Sequence, residues 1–167
     1  EMFLSTVTLP FDKKAQKQTW RKLSYFKFLP MLLKGFILAQ MYGPEKALEV
    51  YQKAVEKAPG FVHLYCIIGD IYSILGKYED AICEYKLAIW LDSLNIIAYR
   101  SLCRVYEELG DYDSAADIYK KLIVIQPYLA EYHSNLANIF YLKGDINSAI
   151  AEYQNAITIN PKVSWTS

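Results

Sequence analysis

The chain has 167 residues, of which 53% are hydrophobic and 22% are charged, and its 18 lysines and arginines balance its 18 aspartates and glutamates. This length, with no low-complexity tract and no linker, fits one elongated domain. A chain without net charge has no global electrostatic field to attract nucleic acid, so we expect no nucleic-acid partner.

Residues 1–27 form the first predicted element, an N-terminal helical extension that Asp12 is placed to cap. One face carries the basic side chains Lys13, Lys17 and Arg21. The other carries the large apolar side chains Trp20, Leu23 and Phe26. Three interpretations fit this pattern: a capping helix that folds over the following segment, a helix that contacts a membrane surface or a partner, and a disordered segment. We expect this extension to dock on the following segment and to bury Trp20.

Residues 23–42 are apolar enough to raise the question of a membrane span, but Lys27, Pro30 and Lys34 interrupt them. They are better interpreted as an amphipathic opening helix. Residues 1–10 lack the basic start and the apolar run of a secretory signal. The three cysteines show no paired spacing, which is typical of a reducing compartment. We therefore expect a cytoplasmic protein.

From Phe28 onward the chain repeats every 34 residues without insertion or deletion. Small and aromatic residues recur in columns, which hold Ala47, Ala81, Ala115 and Ala149, and Tyr51, Tyr85, Tyr119 and Tyr153. Within each unit the apolar residues follow three- and four-residue spacings, which indicate helices with one buried stripe. Each unit is therefore predicted to be a pair of helices, and its aromatic residues are predicted to fill the core.

Glycines and acidic residues mark the turn between the two helices of each unit. Gly76, Gly110 and Gly144 stand where the first helix must stop, because glycine tolerates the left-handed conformation of a C-terminal cap. Acidic residues at the start of the second helix complement its exposed backbone amides: Glu79, Asp80, Asp111, Asp113 and Asp145. In the first unit Gly43 and Pro44 take this role one residue later.

This pattern resembles the tetratricopeptide repeat. The second unit matches it most closely, with Tyr65, Ile68, Gly69, Tyr72, Gly76, Tyr78, Ala81, Tyr85 and Ala88. The resemblance covers residues 28–163 and implies an all-α fold, a right-handed α-solenoid of four helix-turn-helix repeats. The repeats are 28–61, 62–95, 96–129 and 130–163, and residues 164–167 form a tail.

The resemblance also implies a groove on the concave side, lined by the first helix of each repeat. The family positions that face the groove predict these partner-binding residues: Leu29, Leu32, Phe36, His63, Asp70, Arg100, Arg104, Glu107, Glu108, Glu131, Ser134, Asn138 and Tyr141. Cys66 occupies another of these positions and is expected on the same wall. The wall grades from apolar to charged, as suits recognition of a peptide.

Arg100 and Arg104, one helical turn apart, are the predicted anchor for an acidic or carboxylate-bearing segment, because the guanidinium group presents a planar fork to a carboxylate. An alternative remains open. Glu107, Glu108 or Glu131 would then neutralise both arginines in an internal network of ion pairs.

Catalytic and metal-binding patterns are scarce. His63, Cys66 and Asp70 share one helix face, but Asp70 is nearer to Cys66 than to His63, which is the wrong order for a cysteine nucleophile. His133 holds an aromatic packing position and Cys103 a small buried one, so neither predicts a metal ligand. We expect no catalytic activity, no cofactor and no metal.

The sequence therefore predicts a non-catalytic scaffold that binds a peptide or a helix of a partner protein. Two alternatives remain: a regulatory or substrate-recruiting domain of a larger enzyme, and a membrane-peripheral assembly factor that uses residues 1–27. The outer face of the last helix pair is expected to lack a cover, which favours self-association or a missing repeat. That face carries Ile146, Ile150 and Ile157, with Trp165 beyond it.

Overall fold

The computed structural model describes residues 29–161, and the chain divides into two compact units, Glu1–Lys57 and Ala58–Ser167. The predictions for residues 1–27 and for the 164–167 tail, including Trp20 and Trp165, lie outside the described residues. Throughout residues 29–161 every regular element is an α-helix. The predicted all-α class is therefore confirmed.

The first unit contains one helix pair. Helix α1 covers residues 29–42 and α2 covers Pro44–Lys57. Gly43 joins them with a φ of +91°, and Pro44 begins the second helix, as the sequence predicts. Ala47, Tyr51 and Ala54 form the buried stripe of α2, and the hydroxyl of Tyr51 donates a hydrogen bond to the Leu32 carbonyl at 3.1 Å.

The second unit contains three helix pairs, and the first helices of successive pairs begin 34 residues apart. The pairs are α3 (Val62–Ile74) with α4 (Tyr78–Leu91), α5 (Ile96–Glu108) with α6 (Tyr112–Ile125), and α7 (Ala130–Leu142) with α8 (Ile146–Ile159). Each helix packs on the next one in the chain, and α3 also packs on α5. Helix pairs stacked in this way make an α-solenoid.

The turns within the pairs follow the predicted chemistry. Gly76, Gly110 and Gly144 have φ values of +70°, +70° and +80°, the left-handed conformation of a C-terminal cap. The Asp111 and Asp145 carboxylates accept hydrogen bonds at 3.1 Å from the backbone amides of Ser114 and Ser148. In the second repeat Lys77 holds the equivalent place, and it caps α4 with no side-chain hydrogen bond.

The alanine column and three members of the tyrosine column, Tyr51, Tyr85 and Tyr119, are buried. Ala47, Ala81, Ala115 and Ala149 are all 2% exposed or less, which lets neighbouring helices approach closely. Tyr85 is completely buried, and its ring fills the space above Gly69, where an added Cβ would lie 2.6 Å from the ring. Cys103 is buried as predicted, but Cys66 is only 2% exposed. The placement of Cys66 on the groove wall is therefore wrong.

Asn95 is a helix cap that the sequence analysis did not single out. Its side-chain oxygen accepts a hydrogen bond from the Ala98 amide at 3.0 Å at the start of α5. We expect Asn95→Ala to lower the free energy of unfolding by about 1 kcal/mol, because an amide of the first turn loses its partner. Chemical denaturation measures the change. Asn95→Asp keeps an acceptor and should retain most of the stability; an equal loss in both variants would refute the capping role.

Candidate functional site

The predicted binding residues divide between the two units. In the first unit Leu29 and Phe36 are 53% and 58% exposed, and Leu32 is half-buried. Lys34, Leu33 and Ile37 accompany them on α1. The remaining predicted residues lie in the second unit, where two depressions bring several of them together.

The first depression, of about 350 Å³, lies between α5 and α7. It brings together four predicted residues, Arg100, Arg104, Glu107 and Glu131. Five further side chains complete its lining: Ile97, Ser101, Tyr119, Tyr132 and Asn135. The α5 members recur every three or four residues, so that they project from one face of that helix.

A second depression, of about 370 Å³, adjoins the first. Both include Glu107, Tyr119 and Asn135 in their linings. The second adds the predicted residues Asn138 and Tyr141. Because they share lining residues, the two depressions make one continuous surface channel, which we call the α5–α7 groove.

Each groove arginine has an acidic partner. Arg100 Nη2 lies 3.3 Å from Glu131 Oε1, and Arg104 Nη2 lies 3.6 Å from Asp70 Oδ1. The first pair is one that the internal-network alternative expects, whereas the second uses Asp70 in place of a glutamate. The arginine side chains nevertheless remain 58% and 62% exposed. Both ion pairs are therefore open to solvent and weak.

Tyrosine hydroxyls from the second helices hold side chains of the first helices in place. Tyr85 donates to Asp70 Oδ1 at 2.6 Å and Tyr119 donates to Glu107 Oε1 at 2.7 Å. Burial, reinforced by the hydrogen-bonded carboxylate, raises the pKa of both phenols well above the ordinary value. They therefore stay protonated and act as donors. Tyr153 makes the equivalent bond to Asn138.

Tyr119, Tyr132 and Ser101 line the groove, although the sequence predicted a core position for Tyr119 and no role for Ser101 or Tyr132. Ser101 Oγ donates to Asp70 Oδ1 at 3.3 Å. The tyrosine column itself indicates these hydrogen bonds. Phenylalanine would fill the same space, so a column of four tyrosines indicates hydroxyl groups that have partners.

Other predicted residues lie away from this groove. His63 is half-buried with its ring edge-on to Phe61, at 6.3 Å between ring centroids. Burial lowers the pKa of His63, although the nearby Asp70 acts in the opposite direction. Glu108 is exposed at the end of α5. Ser134 shares with Glu131 a separate depression of about 490 Å³ beside Ile159.

The His63, Cys66 and Asp70 set has no reactive thiol. Burial, with smaller contributions from the Asp70 and Asp92 carboxylates, raises the pKa of Cys66 to about 11. The thiol is therefore protonated at neutral pH and is a poor nucleophile. Within residues 29–161, no cluster of three or more histidine, cysteine or acidic side chains is arranged to hold a metal ion.

A membrane-spanning helix would need a long, uncharged apolar stretch. Between residues 29 and 161, no helix combines the required length and apolarity.

Family models described as tetratricopeptide repeat match residues 50–82, 98–127 and 130–163. Together these segments sample the second, third and fourth predicted repeats and the end of the first. A search of curated proteins found no match.

Solved structures show a similar fold. A crystal structure of MamA shares 22% identity and a TM-score of 0.70, covering 93% of this chain and 98% of that one. MamA from Desulfovibrio magneticus RS-1 shares 16% identity at a TM-score of 0.69, covering 81% of this chain and 76% of that one. A tetratricopeptide repeat protein from Parabacteroides merdae shares 20% identity at a TM-score of 0.73, covering 81% of this chain and 54% of that one.

Proposed function

The chain belongs to the tetratricopeptide-repeat family, and on that premise we propose that it is a non-catalytic scaffold that binds a segment of a partner protein in the α5–α7 groove. The segment carries an acidic side chain or a terminal carboxylate that meets Arg100 and Arg104. One observation carries the proposal: two arginines one turn apart line a groove and remain more than half exposed.

The present partners of these arginines can be exchanged at little cost. An exposed ion pair contributes only about 0–1 kcal/mol. The contacts to Glu131 and Asp70 each involve one Nη2 atom, while a guanidinium group has five N–H donors. A ligand carboxylate that binds both arginines, or one arginine through two parallel hydrogen bonds, gains more than the displaced pair loses.

The rest of the groove suits a polypeptide backbone. Asn135 lies where the two depressions join, and its amide has both a donor and an acceptor to offer to a peptide group. Ile139, Tyr141 and Leu142 line the second depression and offer apolar contact to a neighbouring side chain of the ligand. The tyrosine hydrogen bonds pre-organise Glu107 and Asn138, which lowers the entropy cost of binding.

The test uses a double variant, Arg100→Ala with Arg104→Ala. Peptides are first selected from a display library for binding to the parent protein, and their affinity for the double variant is then measured. We expect acidic or carboxylate-terminated peptides to be selected, and the double variant to bind them at least about tenfold more weakly, a loss of about 1.4 kcal/mol. Fluorescence anisotropy gives the dissociation constants. Selected peptides that bind both proteins equally well would remove the arginines from the site.

Lys120→Ala with Lys121→Ala is the matched control. It also removes two positive charges, from exposed positions on α6 outside the groove lining, and should leave binding unchanged. The melting temperature of the arginine double variant should stay close to that of the parent, because Asp70 keeps its hydrogen bonds from Tyr85 and Ser101. A double variant that unfolds would instead support the internal network of ion pairs.

We also propose that the protein is cytoplasmic. Cys66, Cys83 and Cys103 are free thiols, and Cys66 and Cys103 are buried. A reducing compartment preserves such thiols.

A further inference from the structure

The last helix exposes a face that α4 and α6 partly bury. In α4 and α6 this face packs against the core and consists of Tyr78, Ile82 and Ile89, and of Tyr112, Ala116 and Ile123, respectively. The equivalent residues of α8 are Ile146, Ile150 and Ile157, which are 48%, 50% and 43% exposed. Three large aliphatic side chains are therefore exposed at positions that a following helix covers in the preceding repeats.

The repeat itself shows which kind of helix covers such a face. The α4 helix packs on α5, and α6 packs on α7, so the cover is each time the first helix of the next repeat. The covering helices bury Ala98 and Val105 of α5, and Tyr132 and Ile139 of α7, all 2% exposed or less. These residues hold the third and tenth positions of their repeats.

Helix α1 presents the same kind of face, which is exposed within residues 29–161. Pro30 and Ile37 hold its third and tenth positions, and Leu33 lies between them. Pro30 is exposed, and Leu33 and Ile37 are 55% and 45% exposed. With Leu38 and the Lys34 stem they line an apolar depression of about 300 Å³.

We propose that α8 of one copy packs against α1 of a second copy, head to tail, in the way that α6 packs against α7 within the chain. A second copy is the specific occupant because the chain carries both members of the pairing, a second-helix face and a first-helix face, each apolar and each exposed within residues 29–161. The pairing joins two different faces, so that each added copy leaves one of each free. Association should therefore continue beyond two copies as concentration rises.

Two charge-introducing variants test the proposal on the full chain. Ile150→Glu blocks the α8 face and Ile37→Glu blocks the α1 face, and both positions are exposed enough to accept glutamate without disturbing the core. Sedimentation equilibrium should show a mass that rises with concentration for the parent and a monomer for each variant. A mixture of the two variants should form a dimer and stop there, because one intact face of each kind remains.

Val124→Glu is the matched control, since Val124 is an 82% exposed aliphatic residue of α6 outside both faces. It should associate like the parent. Circular dichroism verifies that all variants remain helical. A parent that stays monomeric at high concentration would overturn the proposal, leaving the α1 face to residues 1–27, as the sequence predicts, and the α8 face to a different occupant. An Ile37→Glu variant that still dimerises would show instead that α8 pairs with α8, and a mixture that stays monomeric would also refute head-to-tail pairing.

Discussion

Replacing Tyr85 by alanine is expected to lower the free energy of unfolding by about 3–5 kcal/mol, the usual cost of removing a buried aromatic side chain. Tyr85 has no exposed surface. It fills the space between α3 and α4 above Gly69 and holds Asp70 through its hydroxyl. Its removal leaves a cavity in a close-packed core and takes a donor from the carboxylate that pairs with Arg104.

Two further variants separate these contributions. Tyr85→Phe keeps the ring and loses only the hydrogen bond, which contributes about 0.5–1.5 kcal/mol. Tyr128→Ala removes a tyrosine that is 88% exposed, and such surface changes usually stay within about 0.5 kcal/mol. Urea denaturation should show the largest loss of stability for Tyr85→Ala, a smaller loss for Tyr85→Phe and the smallest for Tyr128→Ala. A Tyr85→Phe variant as unstable as Tyr85→Ala would show that the hydrogen bond, and not the packing, dominates.

The second large effect is expected at Gly69. An added Cβ would lie 2.6–2.9 Å from three atoms of the Tyr85 ring, closer than non-bonded atoms tolerate. We expect Gly69→Val to cost about 1–3 kcal/mol, the usual range for overpacking a core. Gly60→Ala is the control, because no atom beyond the adjacent residues lies within 4 Å of the Cβ it would add, and its stability should stay within about 0.5 kcal/mol of the parent.

The sign of the stability change in Gly69→Val distinguishes the effect of packing from that of helix propensity. Propensity alone favours most residues over glycine in a helix interior, so a stabilised Gly69→Val variant would mean that Tyr85 moves aside freely. Cys103 and Ala137 hold the equivalent positions of α5 and α7, and both are buried. A side chain is thus accommodated in two repeats. At Gly69 the complete burial of Tyr85 and its bond to Asp70 oppose the same adjustment.

The local features of this protein follow from the sequence. Helix α3 begins at Val62, α5 at Ile96 and α7 at Ala130, where the 34-residue register placed the repeats. Glycine at the helix ends and alanine in the buried column also appear as predicted. These features depend on backbone conformation and on apolar spacing within about one turn of helix, which are properties of neighbouring residues.

Which side chains line the groove and which pair with each other could be determined only from the tertiary structure. Helical spacing places Cys66 and Arg100 at the same repeat position, yet the short thiol is buried while the long guanidinium side chain reaches solvent. Asp70 and Arg104 lie 34 residues apart and meet only because α3 packs on α5.

The same distinction explains the two open faces. The sequence determined that α8 has an apolar stripe, because its isoleucines follow the helical period. Whether such a stripe is core or surface depends on the helix that packs against it, and periodicity within one helix contains no information about that neighbour. The tertiary structure decided that Ile82 and Ile89 pack against the core, partly buried, while Ile150 and Ile157 remain exposed.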